Sequence, residues 1–203
     1  MTTLVPTLYA RTFPRAAAWL RETLLLVSGV LLLAGLAQVE IVLPFTPVPI
    51  TGQTFGVLLI GAAYGSKRGA ATMIAYIAAG ALGLPFFSGG GSGLRILTGA
   101  TAGYLAGFVV AAYVIGLLCE GGLERSVRTS LIPFIAGTLI IYVFGVTWLS
   151  HIIGGPAKAV TLGVVPFLIG DGIKLVAASL VLPGAWRLVE PSAPETTAHA
   201  YKI

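Results

Sequence analysis

The stretch VVPFLIGDGIKLVAASLVL, residues 164–182, holds an aspartate and a lysine inside a long apolar run. Asp171 and Lys174 are three residues apart, so a helix brings both onto one face, where they can pair. Each charge costs roughly 2.5–3.5 kcal/mol at the centre of a membrane-inserted helix. The stretch therefore predicts a transmembrane helix whose charges have a specific role.

The rest of the chain is equally apolar. Of its 203 residues, 57% are hydrophobic and 9% are charged, whereas soluble domains carry about 25% charged residues. This composition predicts a polytopic membrane protein. The net charge of +5 comes from Lys and Arg at segment ends without a basic stripe, so we expect no nucleic-acid partner. With Cys119 as the single cysteine, an internal disulfide is excluded.

Polar, proline-rich and glycine-rich breaks divide the chain into six predicted spans. They cover about residues 22–43, 55–66, 70–84, 96–119, 131–153 and 160–186. The first run is too long for the h-region of a signal peptide, about 7–15 residues, so we expect it to be retained. We predict an all-α fold: a compact six-transmembrane-helix bundle over 22–188, an N-terminal cytoplasmic segment over 1–21 and a flexible cytoplasmic tail over 189–203.

The positive charges support this count. With six spans both termini lie on one side, and that side collects most of the Lys and Arg residues. They are Arg11, Arg15, Arg21, Lys67, Arg68, Arg125, Arg128, Arg187 and Lys202. The opposite side holds only Arg95 and Lys158. Because positive residues concentrate on the cytoplasmic side, both termini are predicted to be cytoplasmic.

The Asp171 and Lys174 pair has two interpretations. A structural ion pair would satisfy both charges, but an apolar pair of similar volume would cost less. Ionisable residues inside a membrane generally mark functional sites, and Gly170 leaves room beside the carboxylate. A carboxylate accepts hydrogen bonds and an ammonium donates them. We therefore favour a site for a ligand that carries N–H donors and an oxygen acceptor.

Arg95 is the second candidate, in the glycine-rich loop that spans residues 85–95. It is the only charged residue of this loop, and its planar guanidinium matches a carboxylate or a phosphate. Alternatively, the side chain extends to the membrane interface without a ligand.

The third candidate is the loop TPVPITGQT, residues 46–54. Thr51 and Gln53 offer uncharged hydrogen-bonding groups, and Gly52 permits a close backbone approach. Such a loop could cover a pocket from outside, or it could be a rigid connector. The sequence contains no Walker A motif, nucleophile elbow or cluster of metal ligands. We therefore expect neither an enzyme nor a bound cofactor, and a membrane enzyme or structural subunit is the less favoured class.

Three ordered motifs resemble those of the BioY family, the biotin-specific substrate-binding (S) components of energy-coupling-factor transporters. They read PFTPVPITGQT at 44–54, LTGATAGYLAGF at 97–108 and GDGIK at 170–174. The resemblance covers about residues 25–186. It implies high-affinity biotin binding and uptake by a multi-pass protein of the bacterial cytoplasmic membrane, surrounded by lipid.

The resemblance also implies roles for the candidate residues. Asp171 would accept from the ureido N–H groups of biotin, and Lys174 would donate to a polar oxygen nearby. Arg95 would bind the valerate carboxylate. The family carries a polar amide in its third helix, where this chain reads MIAYIAAGALG. Tyr76 would take the place of that amide.

The partners implied by the resemblance are a transmembrane coupling protein and two ATPase subunits, which would supply the energy. S components dock through Ala-x-x-x-Ala spacing on the first helix, and the corresponding stretch SGVLLLAGLAQV lacks that spacing. The alternative is an autonomous transporter that works without the ATPase module as a homo-oligomer.

Overall fold

The computed structural model describes residues 3–12 and 17–189, and these ranges form a helical membrane protein with one small β-hairpin. The helices are α1 Leu4–Thr12, α2 Ala18–Gln38, α3 Gln53–Tyr64, α4 Ser66–Ala81, α5 Ala102–Glu120, α6 Val127–Ile153, α7 Pro156–Gly163 and α8 Leu168–Val189. Strands β1 Glu40–Ile41 and β2 Ile50–Thr51 pair antiparallel. The predicted tail lies outside the described residues from residue 190 onward.

Within the described part of the chain, four helical stretches are long and apolar enough to cross a membrane: α2, α5, α6, and α7 with α8 taken together. Helix α3 has 12 residues, which span about 18 Å against a hydrocarbon core of about 30 Å. Nine of its residues are buried, because α2, α4, α5 and α8 surround it. Since α3 is interior, its polar first turn is shielded from lipid by protein.

Three predicted boundaries were wrong, each because of a local backbone feature. The first span was predicted to reach residue 43, but α2 ends at Gln38, where the chain enters the hairpin. The fourth was predicted from residue 96, but a 3₁₀ turn over Leu94–Thr98 delays α5 to Ala102. The last was predicted as continuous. Pro166 has no N–H group to continue a helix, and a 3₁₀ turn over Val165–Phe167 separates α7 from α8.

At one end of the bundle, polar contacts join the basic segment ends. Arg68, in the first turn of α4, pairs with Glu22 of α2 at 2.7 Å. The N–H of Ser66 donates to Glu120 at the end of α5, also at 2.7 Å. Helix α1 packs on this half of the molecule, and the Tyr9 hydroxyl donates to Ser28 of α2. This helix lies in the segment 1–21, which was predicted as an N-terminal cytoplasmic segment without a helix.

At the opposite end, the hairpin and the glycine-rich loop meet. Gln38 donates from Nε2 to the carbonyl of Phe87 at 3.1 Å and accepts at Oε1 from the N–H of Gly90 at 3.0 Å. The Ser88 hydroxyl donates to Glu40. On the other side, the Thr46 hydroxyl donates to the Leu162 carbonyl of α7 at 2.8 Å. Both loops are therefore held in fixed positions over the helices.

Candidate ligand-binding site

A cavity of about 480 Å³ opens at the end where the hairpin and the glycine-rich loop meet. Its volume falls within the range of about 300–1,000 Å³ that small-molecule sites occupy. Its walls are mostly apolar and include Val48, Phe87, Leu105, Phe108, Ile141 and Phe167. Polar groups enter at a few points only, an arrangement that fixes the orientation of a ligand while burying its apolar surface.

Lys174 and Asp171 line this cavity and form an ion pair in α8. Nζ of Lys174 lies 2.8 Å from Oδ1 of Asp171, and it also donates to the Thr51 carbonyl and the Thr54 hydroxyl, each at 2.8 Å. An ammonium group has three donors. All three N–H bonds of Lys174 are therefore directed at protein acceptors.

The carboxylate of Asp171 is 7% exposed and is bound through both oxygens. Besides Lys174, Oδ1 accepts from the Thr54 hydroxyl at 3.0 Å. Oδ2 accepts from the Tyr142 hydroxyl of α6 at 2.6 Å, a short distance typical of a charge-assisted hydrogen bond. A carboxylate offers about four acceptor positions, so these contacts leave one on Oδ2.

Gln53 lines the cavity at the start of α3, and its amide orientation is fixed by hydrogen bonds. Oε1 accepts from the Thr51 hydroxyl at 3.0 Å, and Nε2 donates to the Tyr76 hydroxyl at 2.8 Å. Tyr76 in turn donates to the Phe86 carbonyl at 2.9 Å. Tyr76 is fully buried behind the cavity wall, so it holds Gln53 in place and does not line the cavity.

Arg95 lies at the rim of the cavity, in the 3₁₀ turn that precedes α5. Its side chain is exposed and makes no hydrogen bond or ion pair with the residues that the structure describes. A guanidinium next to an apolar cavity is a donor array for a carboxylate or a phosphate. The rim thus presents a positive charge, whereas the charges of Asp171 and Lys174 compensate each other.

The two predicted glycines do not line the cavity. A Cβ at Gly52 would lie 2.7 Å from the Leu36 carbonyl oxygen, so this glycine lets the hairpin approach α2 closely. A Cβ at Gly170 would lie 4.0 Å from Ile50. The cavity therefore brings together five of the predicted site residues. They are Thr51, Gln53, Arg95, Asp171 and Lys174.

Thr54 has no predicted binding role from the sequence. Tyr104 and Tyr142 fall in predicted spans, where the sequence favours packing over contact with a pocket. Tyr142 and Thr54 both bind Asp171, and the Tyr104 hydroxyl donates to the Gly163 carbonyl at 2.8 Å. All three line the cavity. The available signal was chemical, because a tyrosine hydroxyl inside an apolar helix requires a hydrogen-bond partner.

A sequence model of the BioY family matches residues 8–191. The chain is 42% identical over 139 residues to a biotin transporter BioY of Thermotoga maritima, covering 68% of this chain and 81% of that protein. It is 38% identical over 146 residues to a biotin transporter BioY of Rhizobium etli, covering 68% of this chain and 78% of the relative. These proteins are transporters, as the sequence predicts for this chain.

The fold is similar to a crystal structure of the S-component for biotin from an ECF-type ABC transporter. The TM-score is 0.74 at 24% sequence identity, and the match covers 81% of this chain and 90% of that one. The arrangement of the helices is therefore that of a known membrane-protein fold.

Proposed function

The chain belongs to the BioY family, and from this premise we propose that it binds biotin with high affinity and mediates its uptake across the bacterial cytoplasmic membrane. One observation supports the cavity as the biotin-binding site. The 480 Å³ cavity contains a carboxylate with an open acceptor position, and at its rim lies a guanidinium that makes no hydrogen bond or ion pair within residues 3–12 and 17–189. Biotin has ureido N–H donors at one end and a carboxylate at the other.

In this proposal, each polar residue contacts a different part of biotin. Asp171 accepts from a ureido N–H group, Arg95 binds the valerate carboxylate, and the apolar walls enclose the bicyclic ring. Thr51 and Gln53 form the polar edge beside the ring, and Tyr76 keeps Gln53 oriented. For Lys174 to donate to a ligand oxygen, it must release one of its three protein acceptors, which belong to Thr51, Thr54 and Asp171.

We also propose that the chain crosses the membrane six times, with both termini in the cytoplasm. The crossings are α2, α3, α4, α5, α6 and the broken helix α7–α8. The contacts between Arg68 and Glu22 and between Ser66 and Glu120 support this topology, because they join helix ends that carry the basic residues. The cavity lies at the other end, which then faces the outside of the cell, where the vitamin is captured.

For energy, the proposed partners are a transmembrane coupling protein and two ATPase subunits. Two observations support these partners. The similar crystal structure is that of an S-component from an ECF-type ABC transporter, and the sequence of this chain has no ATP-binding motif. The absence of Ala-x-x-x-Ala spacing in α2 favours testing the alternative, an autonomous homo-oligomeric transporter. Uptake of labelled biotin into liposomes by the chain alone, with a proton gradient, would support the alternative. Uptake that requires the ATPase module would exclude it.

The experiment that tests biotin binding is isothermal titration of the detergent-solubilised protein with biotin, alongside Asp171→Asn. We expect nanomolar binding by the wild type and a large loss in the variant, because the amide replaces an acceptor with a donor. The absence of binding by the folded wild type would refute the ligand. Equal binding by both proteins would refute the site but leave the ligand standing.

A further inference from the structure

We propose that Tyr142 is a specificity-determining residue, which together with Asp171 presents a double hydrogen-bond acceptor to one N–H group of the ligand. This inference rests on the proposed function and deepens it. Sequence motifs do not indicate it, because Tyr142 lies in α6, far from the three motifs along the chain. It rests on how the hydrogen-bond donors and acceptors around Asp171 are paired.

The donors around Asp171 are all engaged with protein atoms. The three N–H bonds of Lys174 are directed at Thr51, Thr54 and Asp171. The hydroxyl proton of Thr54 is donated to Oδ1 of Asp171, and that of Tyr142 is donated to Oδ2. These three side chains therefore offer no hydrogen to a ligand while the arrangement persists.

Two acceptor positions remain at this place. Oδ2 of Asp171 receives one hydrogen bond, and the Tyr142 oxygen retains acceptor capacity because its proton is already donated. The two oxygens lie 2.6 Å apart, and both residues line the cavity. A single N–H group of a ligand can reach both oxygens in a three-centre hydrogen bond.

The position of Tyr142 also restricts Asp171. Its hydrogen bond fixes Oδ2, while Thr54 and Lys174 fix Oδ1, so the carboxylate plane is held from α3, α6 and α8. A ligand without the N–H group would leave both open acceptor positions, one on Oδ2 of Asp171 and one on the Tyr142 oxygen, without a donor. A site built to bind a polar hydrogen rejects an analogue that lacks it far more strongly than an apolar pocket rejects a change of size.

The test compares biotin with its two cyclic carbamate analogues, in each of which one ureido N–H is replaced by oxygen. These analogues remove the donor without adding bulk. We expect one of them to bind the wild type at least about 100-fold more weakly than biotin. In Tyr142→Phe, biotin affinity should fall about tenfold, and the preference for biotin over that analogue should narrow by about the same factor.

Tyr113→Phe serves as the matched control, because Tyr113 is an exposed tyrosine of α5 outside the cavity lining. It should leave both affinities and their ratio unchanged. If Tyr142→Phe weakens biotin and the analogue equally, Tyr142 has a structural role only and the inference is wrong. If Tyr142→Phe does not fold, the wild type alone still provides a test. Equal affinity of the wild type for biotin and for both carbamates would refute the inference. Failure of the wild type to bind biotin refutes the proposed function itself.

Discussion

Thr54 donates its hydroxyl to Asp171 and accepts a hydrogen bond from Lys174, although it lies more than 110 residues earlier in the chain. Through this threonine the first turn of α3 and the first two turns of α8 form one buried polar cluster. The two charged side chains are largely buried, with exposed fractions of 7% for Asp171 and 18% for Lys174. The charges are thus stabilised by tertiary structure and do not depend on the single helix in which they lie.

The first prediction concerns the stability of this cluster. Lys174→Met leaves the Asp171 carboxylate buried without its cation, and we expect a loss of about 3–5 kcal/mol in the free energy of unfolding. Asp171→Asn/Lys174→Met should recover most of that loss, because it removes both charges, but should not restore biotin binding. Thermal unfolding in detergent and titration with biotin measure the two effects.

The control for this prediction is the exposed pair of Glu22 and Arg68, whose side chains are about half exposed. Glu22→Gln breaks an ion pair with an N–O distance of 2.7 Å, against 2.8 Å for Lys174 and Asp171, but an exposed pair contributes at most about 1 kcal/mol. A single variant Lys174→Met that is as stable as Glu22→Gln would contradict the role of Lys174 in holding the cluster.

The second prediction concerns the rim of the cavity. Arg95→Gln should weaken biotin binding by about 10–100-fold, because a hydrogen bond to a charged group contributes about 1.5–3 kcal/mol. The same variant should bind biotinamide, which has no carboxylate, as well as the wild type does. Titration with both ligands measures the difference.

Lys158→Gln provides the comparison for Arg95, because Lys158 is an exposed cation of α7 outside the cavity lining. It should leave the affinities for both ligands unchanged. Equal weakening of biotin and biotinamide in Arg95→Gln would show that this arginine acts on loop structure and does not bind the carboxylate.

The third prediction concerns the aromatic wall formed by Phe87. Its ring packs directly on Gly80 of α4, where a Cβ would overlap the ring, and it also meets Tyr76 edge-on with centroids 5.6 Å apart. Gly80→Ala should displace the ring, lower stability by about 1–3 kcal/mol and weaken biotin binding. Gly35→Ala in α2 should be neutral or slightly stabilising, because the added methyl group would meet no described atom within 4 Å apart from its own stretch of helix. Equal behaviour of the two variants would contradict this packing.

The fourth prediction concerns Glu124, in the turn between α5 and α6. The residue is 1% exposed, and Oε2 has no hydrogen-bond partner within the described part of the chain. Burial raises the pKa of this carboxyl above its ordinary value of 4.5. The folded protein therefore holds the proton more tightly than the unfolded chain does. The stability that results is fully present below about pH 4.5 and is lost as pH rises through the higher folded pKa.

Glu124→Gln carries no charge at any pH, so it should be more stable than the wild type at about pH 8, with the difference closing towards about pH 4.5. Thermal unfolding across this range measures it. Arg128→Gln removes a nearby exposed charge and should leave the shape of the wild-type profile unchanged. A wild-type profile parallel to that of Glu124→Gln would contradict burial of an ionisable carboxyl.

Apolar runs and isolated charges are local features of a sequence. They were therefore sufficient to predict the helical membrane fold and to select Asp171, Lys174 and Arg95 as candidate site residues. The cluster partners depend on tertiary structure, so Thr54 and Tyr142 gave little local signal. Gly52 was chosen correctly as a point of close approach, but the approach is to Leu36 and not to the cavity. The break at Pro166 was missed, because the residues around it are as apolar as those of the helices it separates.

That break has an electrostatic consequence for the site. Because α8 begins only at Leu168, Asp171 lies in its first turn, where the aligned peptide dipoles give the helix a partial positive charge of about half a unit. A continuous helix from residue 156 would have put the same carboxylate in mid-helix, without that field. The contribution is about 0.3–1 kcal/mol at exposed sites and up to about 2 kcal/mol at partly buried ones. The break between α7 and α8 thus stabilises the buried carboxylate of Asp171 without a further charged residue in the membrane.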